Sequence, residues 1–141
     1  MLLNYLEPVP FTIDNDSHLG LSETRGVLSC NGESLVIEFQ IADSIIGALK
    51  GRMQTIEIPL SEVLRIELRS RFWGFYNRLT IVSRSQGLLE AMPETKQGRI
   101  TAIIRRGDRS AAGDFCLELS TAIQRLRAER LDVDLGRMEL S

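Results

Sequence analysis

Thr24-Arg-Gly-Val-Leu-Ser-Cys-Asn-Gly-Glu-Ser-Leu-Val-Ile-Glu-Phe-Gln-Ile-Ala42 decides the fold class. In its second half Leu35, Ile37, Phe39 and Ile41 share one face while Val36, Glu38 and Gln40 take the other. Side chains alternate across a strand, so this is a strand with one buried face. The Asn31-Gly32 pair before it is the strongest short-range hairpin signal, because both residues tolerate positive φ. Residues 24–30 and 34–42 are therefore expected to be the first two strands of an antiparallel sheet.

The same period continues outward along the chain. Ile56, Ile58 and Leu60 fall on one face of a third strand over 54–60, with Pro59 confined to a strand end or edge because it has no N–H to donate. Leu64, Ile66 and Leu68 alternate with Arg65, Glu67 and Arg69 in a fourth, and residues 79–84 form a fifth. Residues 88–92 read as a short sixth strand, and Ile100, Ala102 and Ile104 point inward from a seventh over 99–105. Between the second and third strands, residues 43–51 carry Ile45, Ile46 and Leu49, expected in a helical turn or a loop packed on the core. Seven short strands joined mostly by tight turns imply an antiparallel barrel or sandwich.

The period then changes. Ala112, Phe115, Cys116, Leu119, Ile123 and Leu126 fall on one side of a helix, with Asp114, Glu118, Gln124, Arg125 and Arg127 on the other. This predicts an amphipathic helix of roughly twenty residues packed on the strands. Residues 1–18 read as a lead-in segment, 19–130 as one domain, and 131–141 as a tail.

Composition excludes more than it assigns. At 141 residues with 43% apolar content, the chain can bury a core without metal or disulfide staples. A net charge of −2 argues against a general nucleic-acid binder. Cys30 and Cys116 lack metal-ligand spacing and are expected as two buried thiols rather than one disulfide. No basic n-region opens the sequence and no run of eighteen apolar residues occurs, so a soluble, cytoplasmic location is expected. The single histidine, His18, has no partner at ligand spacing and reads as a surface turn residue. No phosphate loop, no Gly-x-Ser-x-Gly elbow and no Cys-x-x-Cys occurs. No catalytic, metal or cofactor residue is nominated, and the chain is expected not to be an enzyme.

One stretch stands out chemically: Arg69-Ser-Arg-Phe-Trp-Gly-Phe-Tyr-Asn-Arg78 holds four of the eight aromatic residues. Arg84 follows, and no acidic residue occurs between Glu67 and Glu90. Adjacent side chains on a strand face opposite ways, so Phe72 and Trp73 cannot both enter one core from one strand. Gly74 and Asn77 offer turn geometry. Packing of one or two rings inside under arginine stems is one reading. A protein interface is another, since Trp, Tyr and Arg are enriched at hot spots. A third is contact with an anionic membrane through Arg69, Arg71, Arg78 and Arg84, with Trp73 at headgroup level. Stacking of single-stranded nucleic acid is the weakest of the four, given the overall charge. The candidate partner-binding residues are thus Arg69, Arg71, Phe72, Trp73, Phe75, Tyr76 and Arg78. The leading expectation is a protein partner or self-association, the runner-up an anionic lipid surface, and the third a small-ligand barrel with catalytic activity. The Arg105-Arg-Gly-Asp-Arg109 run reads as a solvated turn before the helix.

Seven antiparallel strands followed by a C-terminal amphipathic helix resemble the pleckstrin-homology superfold, and most of all small bacterial PH-like domains. Ile58-Pro-Leu-Ser-Glu-Val63, Asn77-Arg-Leu-Thr-Ile81 and Arg109-Ser-Ala-Ala-Gly-Asp-Phe115 carry that resemblance, over residues 20–128. It implies a partly open barrel of two near-orthogonal sheets, capped at one end by the helix. It also implies a place to look for a phosphoinositide headgroup, the loop between the first two strands. The loop assigned to that place, Cys30-Asn-Gly-Glu-Ser34, is tight and carries an acid, with only Arg25 nearby, so no headgroup pocket is expected. The tryptophan familiar in the C-terminal helix of eukaryotic members has no counterpart there, since the lone Trp73 sits elsewhere.

Overall fold

In the computed structural model, residues 6–15, 22–43, 49–92 and 95–140 are described. They form seven strands and one long helix: β1 (Val9–Asn15), β2 (Ser22–Cys30), β3 (Ser34–Asp43), β4 (Leu49–Pro59), β5 (Val63–Arg71), β6 (Tyr76–Ser83), β7 (Arg99–Ile104) and α1 (Arg109–Leu140). All pairings are antiparallel, in the order β4-β3-β2-β1-β7-β6-β5. The sheet is not closed: β4 and β5 are its two edges. A single register pair, Thr12 with Ile103, joins β1 to β7, so the sheet divides there into a four-stranded and a three-stranded half. This is the mainly β, partly open architecture with a C-terminal helix that the PH-like description anticipates.

Two strands differ from expectation, and the errors cancel in the count. The lead-in segment contains β1, whose Val9, Phe11 and Ile13 are buried in the core. Pro8 and Pro10 hide it in the sequence. Pro10 is tolerated because β1 makes only the Thr12 pair on its β7 side, which leaves little ladder for a missing N–H to break. Residues 88–92 are not a strand. Gln86–Leu89 is a 3₁₀ turn, and Leu89 and Met92 are buried three residues apart, a helical rather than a strand spacing. Thr95 Oγ1 lies 2.9 Å from the carbonyl oxygens of both, which share its single O–H.

Alternation otherwise follows the sequence, with breaks at irregularities. Leu35, Ile37 and Phe39 are buried, but the β3–β4 register shifts between Phe39 and Ile41 and burial passes to Ala42. A shift between Val63 and Arg65 likewise leaves Leu64 exposed while Val63 and Ile66 are buried. Gly26 sits in register between Phe11 and Phe39, and the Phe11 ring lies where a Cβ would be. Asn31 closes the β2–β3 loop by accepting from the backbone N–H of Glu33 (3.1 Å) and Ser34 (2.8 Å), while Gly32 takes φ 95°. Of the connection expected as a helical turn or loop packed on the core, Ile45 and Ile46 lie outside the described residues, and Leu49 instead begins β4, which starts five residues earlier than expected.

The helix places Ala112, Phe115, Cys116, Leu119 and Ile123 against the sheet, as the period requires. Ser120 Oγ donates to the Ile66 carbonyl at 3.3 Å and Arg127 Nη2 to the Leu64 carbonyl at 2.8 Å, which lays the helix along β5. It does not end near residue 130. Its 32 residues run through Leu140, so the segment expected as a tail continues the helix.

Candidate functional site

The aromatic cluster is the tip of the β5–β6 hairpin. Arg71 pairs with Tyr76, and the four residues between them turn the chain, closed by a 3.2 Å bond from the Phe75 N–H to the Phe72 carbonyl. The rings are outside the core: Trp73 is 94% exposed, Phe72 73% and Phe75 67%, with Tyr76 partly shielded. Core packing of this cluster is thereby overturned, and the reason is geometric. Phe72 and Trp73 both take positive φ, 54° and 59°, so the turn swings their side chains outward.

Positive φ at large residues is costly, on the order of 1–2 kcal/mol each. Elsewhere among the described residues the chain places Gly32, Gly98 and one other non-glycine residue, Gln97, at positive φ. The 97–98 turn, bounded by reciprocal Lys96–Arg99 backbone bonds, takes positive φ at Gln97 and Gly98. Of the two expected turn residues, Gly74 lies in the turn, while Asn77 is a buried strand residue instead. Ser70 Oγ donates to its Oδ1 at 2.7 Å, and its Nδ2 donates to the Ile104 carbonyl at 3.5 Å. Arg109 Nε in turn donates to Ser70 Oγ at 3.1 Å. This chain of bonds ties the base of the hairpin to β7 and to the start of α1.

Cations surround the rings. Arg69 and Arg71 lie on one face of β5, and Arg69 stands directly across from Arg78. Like charges so placed are mutually repulsive. Glu67 offsets part of this, with its Oε1 3.6 Å from Arg69 Nε and 3.9 Å from Arg65 Nε. The Arg78 guanidinium sits 4.6 Å over the Tyr76 ring, and Tyr76 meets Phe72 edge-on at 6.4 Å. Arg106 sits 4.2 Å over the Phe75 ring. The Arg105–Arg109 run is therefore part of this surface rather than only a turn before the helix. Sequence reading missed it because thirty residues separate Arg106 from Tyr76, and only the β6–β7 pairing brings them together. Arg84 is a correction in the other direction. It follows the far end of β6, about 20 Å from Arg78 at the usual strand rise, and its N–H bonds to the Glu62 carbonyl.

Beside the hairpin, on the β1–β7–β6 side, lies an open cleft of about 330 Å³ lined by Arg78, Lys96 and Arg99, with one acid, Asp14. Arg78 thus belongs to both the tip and this basic cleft.

Elsewhere the chemistry is sparse. Cys30 and Cys116 are free thiols, Cys116 buried and Cys30 half-buried. Burial, with a smaller contribution from the charge of Glu67, pushes the Cys116 thiol up to about 12. Among the described residues no group of three or more His, Cys, Asp or Glu side chains is placed to hold a metal ion. His18 lies outside the described residues. So does the loop joining the first two strands, residues 16–21; the tight Cys30–Ser34 loop, to which the expectation about a headgroup pocket was attached, joins β2 and β3. Among the described residues no helix is long and apolar enough to cross a membrane. No family model matches the chain, and no curated protein or solved structure matches it.

Proposed function

We propose that this is a PH-like, non-catalytic docking domain that binds anionic membrane surfaces through the β5–β6 hairpin. The observation that carries the reading is a strained turn holding Phe72 and Trp73 in solvent inside a collar of arginines. Structure kept at a stability cost, in a place where glycine would relieve it, is best explained by a use for the rings. A convex tip with aromatic rings at its end and guanidinium groups around it matches the layering of a bilayer surface, with apolar interior below and phosphates at the rim. The strand order and the helix along β5 support the PH-like part of the proposal.

The magnitudes are adequate. Half-burying three rings removes roughly 300 Å² of apolar surface, about 7 kcal/mol at 25 cal/mol/Å². Arg69, Arg71, Arg78, Arg106 and Arg109 add roughly 1 kcal/mol each near an anionic surface. Association costs several kcal/mol against this sum. The electrostatic share is screened by salt and the aromatic share is not.

A protein partner is the second reading, favoured by the Arg78–Tyr76 and Arg106–Phe75 stacks, since these residue types dominate interface hot spots. Co-sedimentation separates the two. The full chain should pellet with vesicles containing phosphatidylserine, less at physiological than at low salt, and little with neutral vesicles. Phe75→Ala combined with Arg78→Ala should abolish pelleting. No pelleting with anionic vesicles at low salt would overturn the membrane reading and turn attention to protein partners.

A further inference from the structure

Helix α1 carries a second row of side chains, polar at Thr121 and Gln124 and apolar from Ala128 onward. Thr121, Gln124, Ala128, Leu131, Leu135 and Met138 alternate at spacings of three and four, and every one is exposed, Leu131 at 61% and Leu135 at 50%. At 100° per residue this row lies on average about 130° around the helix from the side that Leu119 and Ile123 pack on the sheet. The row runs well past Arg127, whose Nη2 donates to the Leu64 carbonyl. Residues beyond it include Asp132, Val133, Asp134 and Gly136, which are weak helix formers. From Arg127 to Met138 no residue is buried, so packing on the sheet does not account for these further helical turns.

A three-four alternation is the seam of a coiled coil, and the residues flanking it select partner and direction. We propose that α1 is a self-association surface, two copies pairing antiparallel with Ala128 of one against Leu131 of the other. That register sets Leu135 against the second copy's Gln124, and Met138 against its Thr121. It then sets Arg125 across from the second copy's Asp132 and Arg127 across from its Asp134. By symmetry each pair occurs twice, so Arg125, Arg127, Asp132 and Asp134 are all complemented, against one like-charged match, Glu118 with Glu139, at the ends of the seam. A parallel pair would match Arg127 with Asp132 alone. Arg127 already donates Nη2 to Leu64, which uses one of its five donors and leaves the others for a carboxylate. The small Ala128 facing the large Leu131 suits interdigitation across the seam. The occupant is thus a second copy of this chain, chosen by charge order as well as by apolar contact. The pairing is independent of membrane docking, since the hairpin tips lie beside the helix N-termini, at opposite ends of an antiparallel pair.

Sedimentation equilibrium of the full chain over micromolar concentrations tests this. The native chain should be a dimer. Leu131→Asp should be monomeric, with unchanged urea unfolding measured on dilute monomer, because Leu131 is outside the core. Asp134→Arg should raise the dimer dissociation constant about tenfold, since two attractive contacts become repulsive. Arg127→Glu added to Asp134→Arg should restore association. A native chain that stays monomeric, or a Leu131→Asp chain that stays dimeric, would overturn the proposal. An Asp134→Arg chain that associates undiminished would overturn the antiparallel register. Vesicle pelleting by the Leu131→Asp monomer would persist in any case if the hairpin reading holds, so the two readings fail separately.

Discussion

Replacing Phe72 by Asn and Trp73 by Gly should stabilise the fold while removing the proposed binding tip. Both residues sit at positive φ, 54° and 59°. Releasing two bulky residues from that region recovers roughly 2–4 kcal/mol, since Gly adopts it freely and Asn at reduced cost. Against this stand about 1 kcal/mol for the greater freedom of glycine in the unfolded chain and about 1 kcal/mol for the lost edge-on contact of Phe72 with Tyr76. Trp73, at 94% exposure, gives up almost no packing. The net is a gain of about 1 kcal/mol. Equilibrium urea unfolding, followed by far-ultraviolet circular dichroism because the only tryptophan is removed, should show a higher midpoint at unchanged slope. Pelleting with anionic vesicles should fall to background in the same variant. An unfolding free energy lowered by 1 kcal/mol or more would refute the reasoning, because it would mean that the rings support the fold and that the strain is not a functional cost.

Two further outcomes test the packing. Gly26→Ala should cost about 3 kcal/mol in urea unfolding, because its Cβ would meet the Glu38 carbonyl oxygen and lie 2.6 Å from Phe11 Cζ; a cost below 1 kcal/mol would mean that β1 does not pack as described. Cys116 should resist a thiol reagent at pH 8 while the half-buried Cys30 reacts, with both reacting in urea. Its pH signature follows from the shift from the ordinary 9.0 to about 12. The folded state keeps a proton that the unfolded state releases above about pH 9, so the thiol's contribution is constant below that and stability falls as pH rises from about 9 to about 12. Cys116→Ala should abolish this fall, and a native chain whose stability is flat there would contradict the burial.

The fold was legible where one period persisted. Leu35, Ile37 and Phe39, or Ile100, Ala102 and Ile104, announce their strands because one side faces a core and the other does not. Legibility failed where a residue's local meaning was overruled by its neighbours in space. Pro10 disguised β1 although Val9, Phe11 and Ile13 alternate, because a proline's harm depends on whether a ladder partner exists on that side. Leu88, Leu89 and Met92 read as a strand from apolar content, while the three-residue spacing of Leu89 and Met92 was the better guide. At the site, the residues from Arg69 to Arg78 were visible as a cluster, since they are contiguous. Their exposure was only half visible, because it follows from two backbone angles that no composition reveals. Arg106 and Arg109 could not be assigned to the surface at all without the register of β6 on β7, and Arg84 was assigned to it only through nearness in sequence.

Trp73 is the only tryptophan in the chain, so its emission reports on the hairpin tip alone. The most direct measurement is its fluorescence on titrating the full chain with phosphatidylserine vesicles that carry a quencher at defined depths in the acyl chains. The expected result is emission typical of a water-exposed indole in the free protein, shifting to the blue with lipid and quenched most by the shallowest quencher. Emission that stays unshifted and unquenched while the protein pellets with the vesicles would contradict the account, because binding would then run through another surface.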